Sequence, residues 1–164
     1  MGKSFFKKII VAINGRQSSL RAAMYAIMMA KTYNISLKFV YVVDTATIKY
    51  LAMNSLIMSD SKDTLEEKLK ADGQNYLNYA VMLASKKGLA VETELRSGGV
   101  YTEILKVADE FDADLIILGG NESTNKAAVK NNVLNHHQNE VLSSSRCPVM
   151  IVQKPDIEKL FNVF

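Results

Sequence analysis

Two stretches of this 164-residue chain carry side chains suited to binding chemistry. One is Asn14-Gly15-Arg16-Gln17-Ser18-Ser19. The other runs from Gly119-Gly120 through an amide- and hydroxyl-rich segment to His136-His137-Gln138-Asn139-Glu140. Each follows an apolar run and opens near glycine, as a turn that cradles phosphate does. The fuller phosphate patterns are missing. The first loop has only Gly15 where a dinucleotide fold wants G-x-G-x-x-G, and no G-x-x-x-x-G-K-[ST] occurs anywhere, which excludes a P-loop NTPase. A phosphoryl-accepting receiver needs carboxylates after its first strand and an Asp ending its third, where Asn14 and Arg96-Ser97 stand. A pyrophosphatase loop S-G-G-x-D-S is met only by Gly15 and Ser18 or Ser19.

Other candidates read as structural. His136 and His137 are the only histidines. Adjacent helical residues project about 100° apart, poor geometry for joint chelation, so no metal site is expected. Cys147 precedes Pro148 at the head of an apolar run and reads as an inert, buried thiol. No nucleophile elbow or legible Ser/His/acid set is present, so no enzymatic activity is expected. Asp44 closes an apolar run, where an acid meets a ribose hydroxyl or caps the next turn. Asn14 offers a donor and an acceptor to an adenine edge, and Asn-Gly is equally good turn chemistry.

The elements that must position these loops alternate along the chain. Apolar, β-branched runs at 9–13, 37–43, 91–95, 115–118 and 149–152 predict five strands. Between them lie helical spacings: Leu20, Ala23, Met24, Ile27 and Ala30; Leu65, Leu69, Tyr76, Ala80 and Leu83; Tyr101, Ile104, Leu105, Ala108 and Phe111; and, more weakly, Val129, Val133, His137 and Val141. Such alternation predicts a mostly parallel sheet with helices on both faces. The third run alternates Val91, Thr93 and Leu95 with Glu92 and Glu94, which places it at an edge. The connection at 45–62 predicts a short helix or a mobile flap. Ligands bind beyond the carboxyl ends of such strands, where the strand order reverses, so loops 12–18, 42–45, 97–100 and 119 onward are the ones to interrogate.

Composition bounds the function class. With 48% hydrophobic and 23% charged residues the chain reads as one ordinary globular domain, and a net charge of +3 gives no support for a nucleic-acid or anionic-membrane role. One cysteine rules out an internal disulfide and suits a reducing cytoplasm. No run approaches the ~20 apolar residues that span a bilayer.

In order and spacing, KKIIVAINGRQSSLRAA, LKFVYVVD, VETELRSGGVYTEILKVADEFDADLIILGG and CPVMIV resemble the universal stress protein family. The resemblance implies a single α/β domain over residues 1–154: three layers, α/β/α, around a five-stranded parallel sheet of the adenine nucleotide alpha hydrolase-like type. It also implies a two-fold homodimer formed through Val149, Met150, Ile151 and Val152. ATP-binding members resemble one another in an Asp ending the first strand and a G-x2-G-x9-G-[ST] motif after the fourth. Carried over, the site falls on Ala12, Ile13 and Asn14, on Val42, on Gly98 of an intact Ser97-Gly98-Gly99, and on Gly119, Gly120, Asn135 and His136.

Asn14 then stands for the Asp, Glu122 for the second glycine, and Asn135-His136 for the last glycine and hydroxyl. Asn135 lies sixteen residues after Gly119 where that pattern has thirteen. Glycine permits close backbone approach that Asn obstructs, and an acid against a triphosphate repels it by ~1 kcal/mol or more. The expectation is a stress-response or regulatory module with a degenerate adenine-nucleotide site, and no cofactor beyond a possible ATP or AMP. The alternatives are a nucleotide-binding switch that uses Ser123, Thr124 and Lys126 in a rebuilt 119–126 loop, and a carrier of another small molecule. A protein partner remains open.

Residues 155–164 extend past the family's usual end. Ile157, Leu160, Phe161 and Phe164 recur at i, i+3, i+4 and i+7, which predicts a two-turn amphipathic helix after Pro155-Asp156. So short a helix is marginal in water and must dock, on its own subunit or its mate, to be ordered. The alternative is an exposed partner-binding helix.

Overall fold

The most apolar run becomes the central strand. In the computed structural model, which describes residues 5–121 and 134–164, β1 (Lys8–Ile13) has Ile9, Ile10 and Val11 fully buried. β2 (Ser36–Asp44), β3 (Glu92–Gly98), β4 (Leu115–Gly119) and β5 (Val149–Val152) complete an all-parallel sheet in the order β3-β2-β1-β4-β5. The β2–β3 ladder runs on to Asp44 opposite Gly98, so β3 continues past the apolar run to its glycine. β3 is the polar edge its alternation predicts. The positions expected for Glu122, Ser123, Thr124, Lys126, Val129 and Val133 lie outside the described residues.

Helices cover both faces. α1 (Gln17–Tyr33) lays Ala22, Ala23, Ala26 and Ala30 on the sheet, small side chains that bring its axis close. It ends at Asn34 in the left-handed conformation, where the amides of Asn34 and Ile35 both donate to the Ala30 carbonyl. The 45–62 connection holds a helix, α2 (Thr45–Met53), capped by Asp44, whose Oδ1 accepts from the Thr47 amide at 3.0 Å. α3 (Ser59–Lys86) packs beside α1. Gly73 of α3 leaves room for the Tyr41 ring, which a Cβ there would meet at 2.4 Å. α4 (Val100–Phe111) and α5 (His136–Ser144) lie on the opposite face, against a core of Ile10, Val40, Ile104, Val107, Ile116 and Val141.

The tail forms α6 (Ile157–Val163) and docks on its own subunit. Ile157 is fully buried and Phe161 nearly so, both in one core with Val152 and α1. Of the face expected to dock, Leu160 and Phe164 remain about half exposed, because α1 reaches only one side of so short a helix. Glu158 accepts from Arg21 Nε at 2.7 Å and Gln17 Nε2 at 2.9 Å, and the bond from Arg21 holds its carboxyl below the usual range.

A depressed folded-state pKa contributes stability above the unfolded value, and this is lost as pH falls through the folded one. The advantage of the wild type over Glu158→Gln, roughly 0.2–1 kcal/mol for a half-exposed pair, is therefore expected at pH 7. In thermal unfolding scans it disappears as the pH drops below the ordinary carboxylate range. A gap that persists in acid would mean the carboxylate charge is not its source.

Candidate functional site

β1 pairs with β2 on one side and β4 on the other, so the connections leaving β1 and β4 diverge and open a crevice at their carboxyl ends. A cavity of about 390 Å³ lies there, within the size range of small-molecule sites. Its inner wall is apolar: Val40 and Val42 from β2, Ile104 from α4, Leu118 from β4 and Val141 from α5. Its rim is polar, with Asn14, Arg16, Asp44, Asn135, His137 and Gln138. Tyr41 also lines it. Burial, with Tyr76 and Asp72 adding, raises the Tyr41 phenol above its ordinary pKa, so at neutral pH it stays a hydrogen-bond donor.

The crevice brings together most of the residues expected there. Ala12, Ile13, Asn14, Val42, Gly119 and Asn135 line it, and Gly120 lines an adjoining polar recess of about 130 Å³ with Arg16 and Ser18. Gly98 does not line it. It ends β3 at φ 149°, and a Cβ there would meet Glu103 at 2.9 Å, so this glycine serves the turn into α4. His136 also lies outside: its side chain is 71% exposed and its ring meets Tyr101 edge to face at 6.0 Å. His137, one residue on, takes the place in the crevice expected for His136.

Much of the polar rim is already bonded to itself. Arg16 N–H donates to Asn14 Oδ1 at 3.0 Å, Asn14 N–H to Ser19 Oγ at 3.2 Å, and the Ser19 hydroxyl to the Arg16 carbonyl at 2.9 Å. The β1–α1 turn is thus closed by Asn14 acting as turn chemistry. Asp44 is used as a cap: its second oxygen accepts from the Thr47 hydroxyl at 2.6 Å.

Asn135 stands at the N-cap of α5 in a reciprocal box. Its Oδ1 accepts from the Gln138 amide at 2.8 Å, and Gln138 Oε1 accepts from the Asn135 amide at 2.9 Å. The buried Gln138 then donates Nε2 to the Gly119 carbonyl at 2.6 Å, tying α5 to the end of β4.

Gly119 has a packing duty of its own. A Cβ there would lie 2.6 Å from the Ser18 carbonyl carbon and 2.7 Å from the Ser19 nitrogen. Only glycine lets the start of α1 sit against the end of β4.

Gln138 was missed by the reading of the sequence, although Asn135-x-x-Gln138 is a capping-box spacing and would have located the helix start. Cys147 is half-buried at the opposite end of the sheet, its amide bonded to Ser145 Oγ at 3.2 Å. Among the described residues no three His, Cys, Asp or Glu converge to hold a metal, and no helix is long and apolar enough to cross a membrane.

Comparison with known proteins gives a consistent family. The sequence model of the universal stress protein family matches residues 5–153. The chain is 31% identical over 157 residues to universal stress protein MJ0531 of Methanocaldococcus jannaschii, covering 96% of this chain and 88% of that protein. Universal stress protein UspA from Lactobacillus plantarum has a similar fold, with a TM-score of 0.73 at 18% identity over 92% of this chain and 100% of that one. So has a universal stress protein family protein from Arabidopsis thaliana solved with AMP bound, with a TM-score of 0.62 at 14% identity over 92% and 94% of the two chains.

Proposed function

The chain belongs to the universal stress protein family, and on that premise we propose that it is a non-enzymatic, cytoplasmic regulatory module with a degenerate nucleotide site. Its crevice admits an adenine nucleoside monophosphate and lacks the grip on a triphosphate. The observation that carries this reading is the bonded box Asn135–Gln138–Gly119. A triphosphate needs free amides and close backbone approach at the start of the helix. Here the Asn135 side chain occupies the Gln138 amide and stands in the place of a glycine, while Gln138 ties the start of the helix to the end of β4. The apolar inner wall is retained and suits a flat base. The related Arabidopsis protein with AMP bound supports a monophosphate as the class of ligand.

Calorimetric titration tests the reading. AMP is expected to bind at least about tenfold more tightly than ATP with Mg²⁺, a difference of about 1.4 kcal/mol. An ATP complex tighter than the AMP complex would overturn it. Because the chain has no Trp, nucleotide carried through purification also raises the 260/280 nm absorbance ratio visibly.

The module is further proposed to act as a homodimer. Among the described residues β5 pairs with β4 alone and presents half-buried Val149, Met150 and Ile151 at the edge of the sheet, an arrangement that invites association. Val152 is enclosed in its own subunit's core with Ile157 and Phe161, so its side chain contributes nothing to such an edge. Ile151→Lys is expected to give monomers in light scattering. A dimer that persists would move the interface elsewhere.

A further inference from the structure

The elbow between α2 and α3 leaves large apolar side chains in water. α2 carries a single charge, Lys49, and of its nine residues only Ile48 is buried. Tyr50 and Met53, one turn apart on α2, and Leu56 and Met58 in the connection are each between 63% and 76% exposed. Apolar exposure concentrated in this way marks an interaction surface. Leu56 and Met58, with Ala52 and Ile57, line a groove of about 380 Å³. The connection is held in place: the Leu56 amide donates to the Leu51 carbonyl at 2.9 Å across Ser55, which is left-handed at φ 55°. The groove is therefore preformed, and Met58, unbranched and polarizable, adapts to an incoming side chain.

The rim of the groove is acidic. Asp60 lines it, and Asp63 and Glu67 follow at i+3 and i+7 on one face of α3. All three are exposed, and none is in an ion pair among the described residues. Lys62 and Lys68 are turned about 200° and about 80° round the helix from Asp60, and Lys70 is taken by Glu66 at 3.3 Å. This face is thus negative on a chain whose net charge is +3. The same face of a second copy, or an anionic lipid surface, would set like charge against it, whereas a basic partner matches it.

We infer that the α2–α3 elbow docks a basic amphipathic helix of another protein. The apolar face of that helix fills the groove, and its lysines or arginines meet Asp60, Asp63 and Glu67. Helix-in-groove recognition has this form, with apolar anchors a turn apart and flanking charge that selects the partner. None of these residues lines the crevice, so docking here is independent of what the crevice holds.

The probe is a synthetic peptide of about four helical turns, Leu on one face and Lys on the other, with a single Trp. The chain has no Trp, so the peptide's emission is read without background. The Lys peptide is expected to bind at least about tenfold more tightly than its counterpart with Glu for Lys, and to weaken as salt is added. Met53→Lys with Leu56→Lys should lower its affinity about tenfold or more, and Asp60→Asn with Asp63→Asn about threefold or more. Val163→Lys, at an exposed apolar position on α6, should leave it unchanged. All of these positions are exposed, so melting temperatures should stay within about 2 °C of the wild type. If one pair of substitutions prevents folding, the other decides. No change in emission at about 100 µM protein, equal binding of the Glu peptide, or binding untouched by the elbow variants overturns the docking site. Light scattering tests the remaining occupant. Self-association abolished by Met53→Lys with Leu56→Lys assigns the elbow to a second copy and overturns the partner, and an oligomeric state that those changes leave alone supports it.

Discussion

Deletion of residues 156–164 is expected to lower the melting temperature by on the order of 10 °C. The segment places Ile157 and Phe161 in the main core, where they are 0% and 4% exposed. Truncating a buried Phe costs about 3–5 kcal/mol in comparable cores, and in a domain of this size each kcal/mol moves the midpoint by about 2–4 °C. A two-turn helix has almost no stability of its own, so its order derives from this docking.

That bounds the companion substitution. Phe161→Ala cannot cost much more than the whole docking free energy, because beyond that point the tail simply detaches. It should therefore reproduce most of the deletion's effect. Leu160→Ala, at a 44% exposed position on the same helix, should change little. Scanning calorimetry of the three variants gives the ordering. An unchanged melting temperature for the deletion would reject docking as a source of stability and return the helix to the partner-binding reading.

Gly119→Val is the second substitution with a large expected effect. The added Cβ meets backbone atoms of Ser18 and Ser19, which cannot rotate away as a side-chain tip would. α1 must shift off β4, or the end of β4 must move and strain the bond from Gln138 Nε2. Overpacking of this kind costs roughly 1–3 kcal/mol, or roughly 3–10 °C. It also displaces Asn14 and Arg16, which line the crevice just before α1. Gly99→Ala is the control: its Cβ would meet Thr102 Oγ1 at an ordinary 3.4 Å, so its effect should stay within about 0.5 kcal/mol. Denaturant unfolding of both variants checks the contrast. Equal, small losses would show that the start of α1 adapts and that Gly119 is not required for packing.

The order of strands and helices, the polar edge at β3 and the amphipathic tail were legible in the sequence because each depends on local periodicity, and local periodicity survives in a single chain. Ile9-Ile10-Val11 reads as a doubly covered strand wherever it sits, and Glu92 and Glu94 mark an edge without knowledge of the neighbour.

Tertiary contact decided the site. Which of two adjacent histidines enters the crevice depends on where α5 begins, since one residue turns a side chain by about 100°, and that start is set by Asn135 and Gln138 bonding to each other and to Gly119. Gly119 and Gly98 looked alike as ligand-approach glycines in the sequence. The fold makes one a contact between helix and strand and the other a turn into α4. How much of the tail's apolar face is buried was likewise settled only by how far α1 reaches beside it: a period-3.6 pattern names a face, and the neighbour's surface determines how much of that face leaves water.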